Sequence, residues 1–235
     1  MRTLIINADD FGYEPNVTRG IEQSMREGVV SSATMMVNTP FSAEAVARSA
    51  GLKLGLHLNL ARWPSVHQPS HEFVEAQAAE LTAGFVERET LAQLDLLQSL
   101  IGRPATHIDV HKHLHLNASV LQGLIRAAQV RKLPVRSINE RMRATLKAHG
   151  VVTNDCFIGD AGKDAYWSLR EFEAQLATLP TEGVIELMCH PGYAPTAIAS
   201  GYGIQREGEL QTFISGEARA ALKRADLTPH SWDEL

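Results

Sequence analysis

The sequence predicts an α/β barrel on a parallel sheet, and three observations predict it. Its 235 residues suit the length that one such barrel fills as a single domain, residues 1–235. Short β-branched or apolar runs alternate with longer amphipathic stretches, the pattern of successive βα units. Four of the short runs end in polar residues, which a parallel barrel gathers on the face where barrel enzymes keep their active sites.

The predicted strands are residues 3–7, 32–37, 53–58, 106–110, 135–138 and 184–188, each a short apolar or alternating run. Between and after them, helical patterns cover 16–27, 42–50, 86–101, 118–130, 169–179 and 217–225. Gly28, Gly51 and Gly102 follow three of these helices and are expected to end them. Residues 61–72, 154–164 and 191–207 have no clear period and read as long loops, the first near one mouth of the barrel. No repeat or low-complexity segment suggests a solenoid or an interdomain linker.

Hydrophobic residues make up 44% and charged residues 21%, the composition of a soluble globular chain. A net charge of −5 with no basic tract argues against a nucleic-acid partner, which needs clustered Lys and Arg to neutralise phosphates. The first residues carry no secretory pattern, and no run approaches the roughly 18 apolar residues that cross a bilayer. A cytoplasmic protein with no membrane partner is expected. Cys156 and Cys189 stand far apart and outside any CxxC spacing, so neither a disulfide framework nor a thiolate zinc site is indicated.

Ten histidines are the unusual feature. The first strand runs into Asp9-Asp10-Phe11-Gly12, whose adjacent carboxylates repel and would be costly to bury without a cation. On an extended strand neighbours point to opposite sides, so one carboxylate can bind an ion while the other acts as a base. Alone, the pair fits a strand-to-loop turn as well. From His107 to His115 the residues His107, Asp109, His111, His113 and His115 fall at every second position and share one face for as long as the chain stays extended. Imidazole is the commonest metal ligand. The strand's end favours His111 as a ligand, with Asp109 or His107 as partners that orient a ring.

His57 sits amid leucines, where a histidine is more often a core residue than a ligand, and its place at a strand's end raises the second reading. His190 precedes Pro191-Gly192, a tight turn that fixes its ring either as a proton donor or simply as a turn residue.

The segments Asn7 to Gly12, Gly55-Leu56-His57, Thr106 to His115 and Met188 to Gly192 together resemble the YdjC-like carbohydrate deacetylases, the ChbG/HpnK family of chitooligosaccharide deacetylases. A looser match continues through Tyr202, Arg206 and Glu209-Leu210. The resemblance implies a TIM-like, irregular (β/α) barrel and a metal-dependent hydrolase. Such an enzyme removes the N-acetyl group from an acetylated amino sugar of the chitobiose or chitooligosaccharide type and releases acetate. It further implies one divalent metal ion held by Asp10, His57 and His111, with Asp9 as general base and His190 as general acid. A ligand set of one carboxylate and two imidazoles suits Zn2+, manganese, cobalt or ferrous iron, and the resemblance adds Mg2+.

Lys112 departs from the family's usual histidine, and alternation is expected to turn it away from His111 and His113. Trp63, Tyr193 and Tyr202 are candidates to stack on sugar rings. A phosphoesterase or amidohydrolase on a similar barrel, or a catalytically idle sugar-binding protein, would use similar residues. A small N-acetylated sugar is the expected partner, and a homodimer the expected assembly.

Overall fold

The structure is a computed structural model and describes residues 2–235. Strand β1 (Arg2–Phe11) runs through the middle of a parallel sheet whose order is β4-β3-β2-β1-β6-β5. Its neighbours are β2 (Ser32–Met35), β3 (Leu54–Leu58) and β4 (Ile108–Val110) on one side, and β6 (Gly183–Cys189) and β5 (Cys156–Ile158) on the other. The sheet curls toward closure, with an irregular segment around Val135 lying between its two edge strands. Val135 bridges to Ile108 of β4, and its N–H donates to Val152 in the run leading into β5, at 2.9 Å.

Alternation along the strands decides what the barrel holds. Leu4, Ile6 and Ala8 of β1, Ala33 and Met35 of β2, and Leu54, Leu56 and Leu58 of β3 join the apolar core under the helices. Each fully buried aliphatic side chain there contributes roughly 1.5–3 kcal/mol. The alternate residues Asn7, Asp9, Thr34, His57, Asp109 and Glu186 bond to one another or to one buried arginine inside the barrel. The interior is therefore polar and charged.

The outer layer is built from α1 (Pro15–Arg26), the short α2 (Ser42–Ala45), α3 (Ala83–Ile101), α4 (Ala118–Arg131), α5 (Glu140–Ala148), α6 (Leu169–Thr178), α7 (Ile204–Ile214) and α8 (Gly216–Arg224). Local chemistry starts and stops them. Pro15 opens α1 and the Glu14 carboxylate accepts from the N–H groups of Asn16 and Val17. Thr82 caps α3, and Gly102 ends it in the left-handed conformation, φ 72°. Among the described residues, no helix is long and apolar enough to cross a membrane.

Several expectations change. The predicted strand 135–138 contributes only the bridge at Val135. β5 lies inside the expected loop 154–164, because a three-residue, half-buried strand carries too little alternation to read. α5 buries only Met142 and Leu146, and α7 buries Arg206 and Glu209 among its inward residues, so neither presents a clean apolar period. The predicted helix 42–50 shortens to α2 and a 3-10 turn, Val46–Arg48. Glu27, not Gly28, caps α1. Gly28 is needed for close packing instead, since a Cβ there would lie 2.4 Å from the carbonyl oxygens of Phe213 and Ser24.

Candidate active site

The loops that follow the strands' carboxyl ends surround a cavity of about 540 Å³. Asp9, Asp10, His57, His111 and His190 all line it. Asp9 and Asp10 reach it together because β1 is irregular: its register with β2 shifts between Ala8 and Phe11, and Asp10 takes φ 77°. A regular strand would have sent the two carboxylates to opposite sides, as expected from the sequence. The bulge turns both inward, and aspartate tolerates the left-handed conformation better than most residues.

Three potential ligand atoms crowd one point. Asp10 Oδ1 lies 3.2 Å from His57 Nε2 and 3.2 Å from His111 Nδ1, and the two ring nitrogens are 3.1 Å apart. Asp10 Oδ1 is buried with no hydrogen-bond partner. Its other oxygen accepts from Arg206 Nη2 at 2.5 Å.

His57 Nδ1 bonds Asp109 at 2.6 Å, which keeps a proton on that nitrogen and makes Nε2, beside Asp10, the one that can lose its proton to coordinate a cation. Burial disfavours charge on His57, but Asp109 and Asp10 outweigh it and raise the pKa to about 10. Asp10 Oδ1, which has no hydrogen-bond partner, and two imidazole nitrogens within 4.8 Å of one another fit a divalent ion, which would replace the Nε2 proton.

Beside this cluster, Asp9 is clasped by Arg136. Nη1 donates to Oδ2 at 2.6 Å and Nη2 to Oδ1 at 2.7 Å, while Asn7 Nδ2 donates to Oδ1 at 2.9 Å. Burial would raise the carboxyl's pKa, but the Arg136 guanidinium overcomes it and holds Asp9 far below the usual carboxylate range. Arg136 also bonds Asp109 at 2.8 Å and Glu186 at 2.8 Å, so one cation, fully enclosed, ties together three carboxylates. Burial pushes Glu186 up to about 7.

The His190 ring is lowered to about 4 by burial. Its Nδ1 is buried without a partner, and Nε2 is the nitrogen left open to the cavity. Its backbone N–H donates to Glu209 at 2.5 Å, and Glu209 also accepts from the Tyr202 hydroxyl at 2.5 Å.

Arg136 and Glu186 escaped the sequence analysis. Each is a lone charge in an apolar run, Pro134-Val135-Arg136 and Ile185-Glu186-Leu187, and a charge at an inward position of a strand was the available signal. The shared face from His107 to His115 does not persist. β4 stops at Val110, and the 3-10 turn His111–Leu116 follows, with Lys112 and His113 at φ 58° and 51°. Lys112 consequently lines the cavity with His111 and His113 instead of facing away.

The remaining candidates scatter. His107 stacks on Trp232 at 4.9 Å, away from the cavity, and His115 turns into a separate groove between α4 and α5. Trp63 and Tyr202 line the cavity. Tyr193 does not, since its hydroxyl bonds Gln23 and Arg19 lies over its ring.

The sequence pattern of the YdjC-like proteins matches residues 3–224. The chain is similar to a carbohydrate deacetylase of Geobacillus stearothermophilus, 36% identical over 223 residues that span 89% of this chain and 88% of the relative. It is also similar to a chitooligosaccharide deacetylase of Serratia marcescens, 32% identical over 253 residues, 100% of this chain and 99% of the relative. A crystal structure from Enterococcus faecalis, of a protein provisionally named for cellobiose-phosphate cleavage, covers 99% of this chain and 98% of its own. It shares 27% identity with a TM-score of 0.87. With a match over nearly its whole length and a barrel that superposes, the chain belongs to the YdjC-like protein family.

Proposed function

We propose that this protein is a metal-dependent carbohydrate deacetylase, working as one domain over residues 1–235. Its reaction would be hydrolysis of the N-acetyl group of a chitobiose or chitooligosaccharide type of sugar. The observation that carries the reading is the convergence of Asp10, His57 and His111 within 4.8 Å, beside Asp9 and His190 in one cavity. Relatives at 32–36% identity that are named carbohydrate and chitooligosaccharide deacetylases support it.

Asp10, His57 and His111 would hold one divalent ion, Mg2+ or Zn2+, which when bound supplies Lewis acidity toward an acetyl carbonyl. Arg206 neutralises the second oxygen of Asp10, so this carboxylate offers one oxygen rather than two. Asp9 is the general base. A carboxylate has about four acceptor directions; Arg136 and Asn7 occupy three, and the fourth, on Oδ2, receives the proton of the attacking water. The base is intrinsically weak, and its rigid placement compensates.

His190 is the general acid: burial holds its ring neutral at rest, so it takes up a proton from solvent and Nε2 delivers it to the sugar nitrogen as the amide C–N bond breaks. The new C–O bond comes from water, and the products are acetate and a free amino sugar.

Incubating the metal-supplied protein with N,N'-diacetylchitobiose and measuring acetate tests this directly, with generic phosphate esters assayed in parallel. Acetate release that a chelator abolishes is the expected result. Phosphate release without acetate would overturn the assignment.

A further inference from the structure

Immediately after His111, two residues in succession take the left-handed backbone conformation, Lys112 at φ 58° and His113 at φ 51°. Neither is a glycine, asparagine or aspartate, the residues that adopt it at least cost, and such strain persists only where the surroundings over-determine it. The effect is to place the His113 ring. It stands in the cavity wall, perpendicular to the Phe157 ring at 5.8 Å and against His115 at 5.9 Å. Packing on two sides therefore fixes its plane.

The two ring nitrogens differ. Nδ1 is buried without a hydrogen-bond partner, whereas Nε2, which has no protein partner either, is left open to the cavity. A bare acceptor is cheaper to bury unpaired than an N–H, so the single proton of a neutral ring sits on Nε2. A charged ring would carry a proton there too. In either state His113 presents a donor to the cavity that nothing in the protein uses. Phe157, on which the ring rests, lies in turn over Arg136 at 5.6 Å, and Arg136 clasps Asp9. His113 thus belongs to the wall that leads down to the reacting end of the site.

We propose that His113 is a substrate-binding residue whose Nε2–H donates a hydrogen bond to an oxygen of the sugar. The proposal rests on the deacetylase reading above and adds to it a contact made by neither the ligand cluster nor the acid and base.

The test compares His113→Gly and His113→Asn with the parent chain, all supplied with metal. Glycine and asparagine both accept the left-handed backbone, so the loop's shape is not what changes. In His113→Gly, KM for N,N'-diacetylchitobiose should rise about five- to tenfold with kcat within about twofold, the signature of a lost hydrogen bond that binds ground and transition states alike. Bound metal should stay constant, and His113→Asn, whose amide can donate, should recover part of the loss. An unchanged KM, or a loss carried by kcat together with metal content, overturns the proposal in favour of a structural role.

Calorimetric binding of the same disaccharide to Asp9→Asn, with and without His113→Gly, reads the contact without turnover. A parent chain that binds the sugar but releases no acetate would sink the deacetylase reading alone. The His113 contact then stands if the glycine variant binds about five- to tenfold more weakly and falls if its affinity is unchanged.

Discussion

Arg136 holds Asp9 through both terminal nitrogens, at 2.6 and 2.7 Å, in a part of the barrel where neither side chain is more than 3% exposed. The same guanidinium binds Asp109 and Glu186, so its removal would strand three buried carboxylates. Arg136→Met should cost about 3–5 kcal/mol of stability, the usual penalty for breaking a buried ion pair from one side. Urea denaturation checks the cost. Arg136→Lys keeps the charge but lacks the planar fork, and should restore stability more than activity.

Asp9→Asn tests the chemistry, with thermal unfolding run beside it because the amide nitrogen must face a donor of Arg136. Asp10, His57 and His111 keep their own mutual contacts. Acetate release should fall by about 10²–10⁴, the range for loss of a general acid or base. Bound metal, measured by elemental analysis, should stay equal to that of the parent. A variant that keeps its turnover would remove Asp9 from the mechanism.

The contrast between these residues explains how far the sequence could be read. Asp9, Asp10, His57, His111 and His190 stand at strand ends beside local breaks in pattern, and all of them line the cavity. Arg136 sits between Val135 and Ser137 on a segment that contributes a single bridge, so its contact with Asp9, 127 residues away in the chain, leaves no local trace. The barrel itself was legible because β1, β2, β3, β4 and β6 each alternate or run apolar. β5 and α7 were not, since one is three residues long and the other turns Arg206 and Glu209 inward. Strand alternation also misled at two places. The bulge at Asp10 and the left-handed pair at Lys112 and His113 each reset which way the next side chain points, and dihedral angles of that kind are set by tertiary packing.

Glu209 gives the fold a pH dependence of known sign. Burial raises its pKa to about 7 from an ordinary 4.5, so between those values the folded state binds more protons than the unfolded one. The stabilisation is fully present below about 4.5 and is lost as pH rises through 7. Glu209 and Glu186, also raised to about 7 by burial, therefore pull urea midpoints down from pH 5 to pH 8. Buried histidines such as His190, lowered to about 4, pull them up with rising pH below about 6.5. Glu209→Gln removes one of the downward pulls, so its midpoint relative to the parent's should rise from pH 5 to pH 8. An unchanged slope would show that Glu209 titrates normally.

Asp109 controls which nitrogen of His57 is free. Its Oδ1 accepts from His57 Nδ1 at 2.6 Å, and its Oδ2 accepts from Thr34 at 2.9 Å and Arg136 at 2.8 Å. In Asp109→Asn the amide must fail one of these partners. If its nitrogen faces His57 it donates to Nδ1 and moves the ring proton to Nε2, the nitrogen beside Asp10. If its nitrogen faces Arg136, donor meets donor. Either way the ring is a poorer ligand, and metal affinity should fall about 10–100-fold, measured by competition with a chromogenic chelator. The apo protein should at the same time stay folded, as judged by thermal unfolding in excess chelator. Unaltered affinity would mean that a cation does not use His57 Nε2, and the ligand set would have to be sought in other atoms of the cavity.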